Sequence, residues 1–221
     1  MTDTATGAAG STAPPTSADG RNQRRDRNRD AVVEVLLGLY REGNLGPSAD
    51  QIAERASISA RSVFRYFDDA DAMVRAAIAR QQAHLAPLYA LDATPDLPLA
   101  ERIERFVAAR VQLLEGMGEV GRVARSLALR QPLILAELAR IRGTLRRQLT
   151  GLFAPELDAL GPGERAAAVA AADVVTSWES LDLMRNDQGL TREQAVAAMA
   201  AALLRLLGGD AGTGANGGGN R

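Results

Sequence analysis

The stretch Ile52-Ala53-Glu54-Arg55-Ala56-Ser57-Ile58-Ser59-Ala60-Arg61-Ser62-Val63-Phe64-Arg65-Tyr66-Phe67 reads as two short helices about a turn. Just upstream, Ser48 stands three positions before Gln51, the reciprocal pairing in which the hydroxyl accepts from the third amide and the glutamine reaches back. A helix therefore starts there and runs to about Ala56. Ser59 repeats the N-cap signal, and Val63 and Phe67, four apart, give the second helix one apolar face. Ile52, Ala53, Ala56, Ile58, Val63 and Phe67 pack the pair together, Ala53 being small enough for close approach. Arg61, Ser62, Phe64, Arg65 and Tyr66 are left to face outward. Two guanidiniums, a hydroxyl, a phenol and an aromatic ring suit a DNA groove: Arg grips guanine O6 and N7 or a phosphate, Ser and Tyr bond phosphate oxygens, and Phe meets a thymine methyl. The helix starts at Ser48 and at Ser59-Ala60 add amides for phosphate. The same pattern also fits a helical hairpin whose charges only keep it in solution, and charge alone does not choose between the two.

Working outward, residues 28–42 place Val32, Val35, Leu36 and Leu39 at i, i+3, i+4, i+7 spacing and end at Gly43, which predicts an amphipathic support helix with a glycine C-cap. Before it lies a basic arm, Arg21-Asn22-Gln23-Arg24-Arg25-Asp26-Arg27-Asn28-Arg29. Arg24, Arg25 and Arg27 there can act on phosphates by counterion release, and in a narrow A·T minor groove by insertion. A solubilising tail is the plainer alternative. All 26 basic residues of the chain are arginine; residues 20–80 carry 11 of them against 9 acids, whereas residues 81–221 carry 15 against 16. The first third is thus the better partner for a polyanion.

Composition narrows the class. Of 221 residues, 46% are apolar, enough for a real core, yet aromatics are 4% and β-branched residues never alternate with period two, so an all-α fold of about nine helices is expected. With no cysteine and one histidine, His84, thiolate chemistry and the usual zinc sites are excluded, and neither a metal nor a cofactor is expected. His84 is given no role. Without a bilayer-length apolar run or a secretory signal, a cytoplasmic protein with no membrane partner is expected. Residues 1–20 and 208–221 are tail-like in composition. Residues 99–115, 119–130, 133–153, 163–186 and 191–207 read as amphipathic helices sharing one core, the last opened by a Thr191–Gln194 capping box.

Residues 29–78 resemble the DNA-binding domain of the TetR family of transcriptional regulators. The likeness lies in Ile52-Ala53, Ala56, Ile58-Ser59, Ser62, Phe64, Tyr66-Phe67 and Asp71 to Val74, spaced as in that family. Three positions depart from it: Ser57 where Gly is usual, Arg61 where a small residue is usual, and Ala70, among Asp68, Asp69 and Asp71, where a backbone-contacting Lys is usual. The resemblance implies a DNA-binding domain over residues 21–80, a ligand-binding and dimerisation bundle over 81–207, and a linking helix from Asp71 to about Tyr89 that carries the allosteric signal. It implies a homodimer on a pseudo-palindromic double-stranded operator, most simply a repressor, answering to an unidentified small effector. Val196, Met199, Leu203 and Leu206, with Leu207, form a stripe too generous for one face of a monomer, and the Ala-rich residues 166–175 allow close helix approach. These are the expected dimer contacts. Met117, Leu127, Trp178, Glu179 and Met184 are the candidate ligand contacts, although each also fits plain core. A co-regulator that keeps the fold without binding DNA is the alternative that Ala70 leaves open. An enzyme using Glu115, Glu119 or Glu179 has little support, since no catalytic residue can be paired with an evident partner.

Overall fold

The computed structural model describes residues 17–208, with side chains from residue 23, and contains ten α-helices and no strand among them. Residues 1–16 and 209–221 of the expected tails lie outside the described residues, as does the side chain of Arg21. Helix α1 spans Ser17–Arg41, beginning well before the apolar periodicity does, so the arginine-rich arm is a helical extension of the support helix. Its Val32, Val33, Leu36, Leu37 and Leu39 are buried. The helix stops where Gly43 takes φ 79°, with Gly43 N–H donating to Tyr40 O and Asn44 N–H to Leu39 O, both at 3.0 Å. Helices α2 (Ala49–Arg55) and α3 (Ala60–Tyr66) pack on α1, with Ile52, Ala53, Val63 and Phe67 buried between them. The Ser48 capping box is formed, the hydroxyl accepting from Gln51 N–H at 3.1 Å and Gln51 Oε1 from Ser48 N–H at 2.9 Å.

Helix α4 (Ala70–Leu85) leads away from this small core through a 3₁₀ turn at Ala86–Tyr89. Helix α5 (Leu99–Leu127) is a single run of 29 residues where two helices are expected from the sequence, but Gly118 inside it has φ 49° and ψ −145°, so the Gly-rich break survives as a kink. Helices α6 (Pro132–Leu152) and α7 (Ala154–Asp158) follow. The single helix expected over residues 163–186 is instead three pieces: α8 (Pro162–Val175), α9 (Trp178–Asp182) and a π turn at Leu183–Asp187. The break is local chemistry. Thr176 Oγ1 donates back to Ala172 O at 2.8 Å, and Ser177 caps the new helix by accepting from Ser180 N–H at 3.1 Å.

Helix α10 (Arg192–Leu207) closes the bundle against α5 and α8. Met199 and Leu203 are 0% exposed, inside the chain's own core with Phe106, Leu113 and Leu149, while Val196 and Leu206 pack at its margin. The stripe expected to meet a partner therefore faces inward. Its width reflects that α10 is wedged between two neighbouring helices and needs more than one apolar edge.

Candidate nucleic-acid interface and ligand cavity

Helix α3 presents Arg61, Phe64 and Arg65 to solvent, Phe64 being 71% exposed, with Ser62 partly covered. Ser59 Oγ accepts from Ser62 N–H at 3.2 Å, and the Ser59 and Ser62 hydroxyls lie 2.9 Å apart, so both serines fix the helix start. Ser48 likewise remains exposed at the start of α2, while Ala60 is half-buried. Tyr66 corrects the sequence reading: it is 7% exposed, its ring packed in the three-helix core rather than standing outward. Its hydroxyl is reached by Asn28 Nδ2, which donates to it at 2.8 Å from α1. That bond, then Arg65 and Arg24, holds the Tyr66 phenol below its usual pKa. The arm and the end of α3 are thus brought to one place, with Arg24 and Arg65 both near a single phenol oxygen.

Five arginines of α1 and α3 are left without an ion pair. Arg24, Arg25, Arg27, Arg61 and Arg65 are exposed and have no carboxylate within 4.0 Å among the described residues, whereas Arg80 on α4 bridges Asp30 at 3.0 Å and Glu34 at 3.1 Å, and Arg55 pairs with Glu42. Exposed cations without an internal carboxylate partner are available to phosphate.

Between α5, α6, α8 and α9 lies a cavity of ≈ 330 Å³, a size ordinary for small-molecule sites. Three of the candidate contacts, Met117, Trp178 and Glu179, line it. Leu127 instead borders a smaller, almost wholly apolar cavity of ≈ 80 Å³ against α4, which shares Met117, Arg125, Leu138 and Ile141 with the first. Met184 lines neither and packs on the core from the π turn, displaced there by the break at Thr176. Arg110, Arg142, Arg146 and Asp173 also line the larger cavity. Sequence reasoning missed them, yet a signal existed: Arg110 sits four residues after Phe106 and four before Leu114, inside the apolar stripe of α5. Arg125 stacks 4.1 Å from the Trp178 ring centroid and donates to Glu179 at 2.9 Å; Arg142 donates to the same carboxylate at 2.6 Å. Burial works against the Glu179 charge, but the bonds from Arg142 and Arg125 outweigh it and hold the carboxyl below its usual range.

No protein-family model and no curated protein matches the sequence. Solved structures do. A TetR-family transcriptional regulator from Streptomyces coelicolor is similar over 79% of this chain and 78% of its own, at 20% identity and TM-score 0.57. A protein assigned to the same family from Rhodococcus sp. is similar over 80% and 97%, at 14% identity and TM-score 0.60. A transcriptional regulator from Rhodococcus sp. Rha1 is similar over 84% and 96%, at 19% identity and TM-score 0.57.

This chain has the TetR fold.

On the TetR fold the unusual residues acquire positions. Ser57 lies in the turn of the helix-turn-helix with φ 53°, the left-handed conformation that favours glycine. Ala70 is the first residue of α4, and Asp69 before it is the N-cap, accepting from Ala72 N–H at 2.5 Å and facing Arg75 at 3.4 Å. The acids there complement the helix N-terminus. Among the described residues no group of acids and histidine is placed to hold a metal ion, and no helix is long and apolar enough to cross a membrane.

Proposed function

We propose that this chain is a TetR-family, DNA-binding transcriptional regulator, most simply a cytoplasmic repressor that binds a pseudo-palindromic operator as a homodimer and leaves it when a small effector fills the α5–α6–α8–α9 cavity. The observation that carries this reading is the convergence of unpaired arginines from α1 and α3 about Tyr66. Arg61, Phe64 and Arg65 enter the major groove; Arg24, Arg25 and Arg27 engage the flanking phosphates; Ser48, Ser59, Ala60 and Ser62 offer helix-start amides and hydroxyls. Two such surfaces must stand about 34 Å apart, one duplex turn, to fit a palindrome.

The second copy docks on the outer faces of α8 and α10. Ala167, Ala170 and Val174 on one helix, with Ala197, Ala201 and Leu204 on the other, are exposed and apolar, and they replace the inward-facing Met199 and Leu203 as the contact surface. Release follows from the shared wall of the two cavities. A ligand moving Met117 or Ile141 presses through the apolar cavity on Val74, Ala77 and Ile78 of α4. It works only in proportion to its preference for the released form.

The test is titration of a labelled duplex from upstream of the protein's own gene, at two salt concentrations, against scrambled competitor. The expected result is competitor-resistant binding that weakens with salt, with Arg65→Ala costing about 1–3 kcal/mol of specific affinity. Failure at low salt with a folded dimer would instead favour a co-regulator on the same fold, a reading supported by Ala70 within its acidic turn.

A further inference from the structure

Helix α5 buries two arginines, and the structure treats them differently. Arg102, 4% exposed, is sealed: it donates to Leu97 O at 2.8 Å, to Leu152 O at 3.0 Å, and through both terminal nitrogens to Glu156. Arg110, 3% exposed and eight residues on, makes one hydrogen bond among the described residues, from Nη2 to Leu145 O at 2.9 Å. No described carboxylate lies within 4.0 Å of it, and its face rests 4.6 Å from the Phe106 centroid. A guanidinium carries five N–H donors, and a buried charge without a counter-charge is costly. Burial pushes the Arg110 pKa down to about 10, which leaves it cationic at neutral pH.

Arg110 also lines the larger cavity, where the Asp173 charge offsets part of its burial without forming an ion pair with it. Glu179 is shared by Arg125 and Arg142, and Asp173 is bonded by Arg146 at 2.7 Å. Four guanidiniums therefore face two carboxylates around this space. Beside them stand Trp178, Met117, Leu114 and Ile141, an apolar wall that continues toward the cavity against α4. The cavity thus pairs a guanidinium that gives the protein a single hydrogen bond with an apolar lining.

We propose that the ligand of this cavity is an organic carboxylate with an apolar body: its carboxylate meets the free edge of Arg110, and its body lies against Trp178, Met117 and Ile141. This rests on the reading of the cavity as the effector site, and specifies the effector's chemistry. A carboxylate supplies the counter-charge and acceptors that Arg110 lacks, in the planar geometry a guanidinium matches best. A neutral molecule of the same shape leaves the cation unanswered. Arg110 is then a binding residue held at a cost to the ligand-free fold.

Trp178 is the chain's only tryptophan and lines the cavity, so its fluorescence reports occupancy. The probes are phenylacetate, phenylbutyrate and phenylhexanoate, each against the alcohol of the same skeleton, titrated into the full chain alone and on operator DNA. At least one acid is expected to bind about tenfold or more tighter than its alcohol, as a charge-assisted hydrogen bond predicts. Arg110→Met should abolish that preference by weakening the acid far more than the alcohol, and should raise the Tm of the ligand-free protein. Arg110→Lys should retain part of it. Acid and alcohol binding equally, or a preference that survives in folded Arg110→Met, would overturn the proposal. Equal binding with DNA released by both would leave the effector-site reading standing. Selective acid binding without DNA release would do the reverse, and binding of none of the probes would overturn both. Should Arg110→Met fail to fold, the acid-to-alcohol ratio of the unaltered protein and of Arg110→Lys decides.

Discussion

At Ser57 the backbone takes φ 53°, a conformation costing an L-residue about 1–2 kcal/mol and glycine almost nothing. Against this stands the extra freedom glycine brings to the unfolded chain. The net expectation for Ser57→Gly is a gain of about 0.5–1 kcal/mol, read as a higher midpoint in chemical denaturation with an unchanged slope. A loss of stability would mean the serine hydroxyl contributes more than the strain it carries. The sequence marked this position by its departure from a glycine pattern, although only the dihedral angle says that the departure is strained. Tyr66 is the opposite case. Its polar phenol suggested an outward ring, although three residues after Val63 it shares that residue's face; its hydroxyl accepts from Asn28 of another helix, a partner that no local pattern contains.

Among the elements, α10 most sharply separates pattern from placement. Adjacent leucines have opposite surroundings: Leu203 is 0% exposed and Leu204 is 48% exposed, beside the outer face of α8. Leu203→Arg places an unpaired charge in the core and should cost about 3–5 kcal/mol, unfolding much of the protein. Leu204→Arg should leave the fold intact by circular dichroism and convert dimer to monomer in sedimentation. A Leu204→Arg protein that stays dimeric would remove the α8–α10 face as the interface. The α8–α9 break teaches the same lesson at smaller range. Ala-rich sequence through residue 175 reads as helix, and Ser177 with Ser180 carries the cap signal that divides it, but which way Trp178 then turns depends on Arg125 and Arg122 stacking on it from α5.

For the whole molecule, ion pairs between elements distant in sequence hold the walls of the cavity. Glu179 on α9 gathers Arg125 of α5 and Arg142 of α6. Its pKa is lowered in the folded protein, so its contribution is fully present above the ordinary glutamate range and is lost as pH falls through the lowered value. Glu179→Gln should therefore lower the Tm near pH 7 and make little difference once the pH has fallen below that lowered value, where the parent carboxylate is also protonated. An equal Tm loss at both pH values would assign the effect to packing instead of charge. At this scale the two cavities matter together. Their shared residues put the wall of the larger cavity next to α4, the helix that packs on α1 of the three-helix unit.

By itself the sequence determined the all-α class, the support helix and its Gly43 stop, the capped helix-turn-helix and the starts of α2, α3 and α10, because capping, periodicity and the missing Cβ of glycine act over a few residues and are written locally. Side-chain type did not by itself place the candidate ligand contacts: Met117, Trp178 and Glu179 line the larger cavity, while Leu127 and Met184, chosen on the same grounds, do not. Tertiary structure decided which face of α10 is inside, that Tyr66 is packed while Phe64 is not, and that Arg102 finds Glu156 while Arg110 finds a cavity. Those outcomes turn on partners 38 to 54 positions away in Tyr66–Asn28 and Arg102–Glu156, and burial is a property of what packs against a residue, not of the residue.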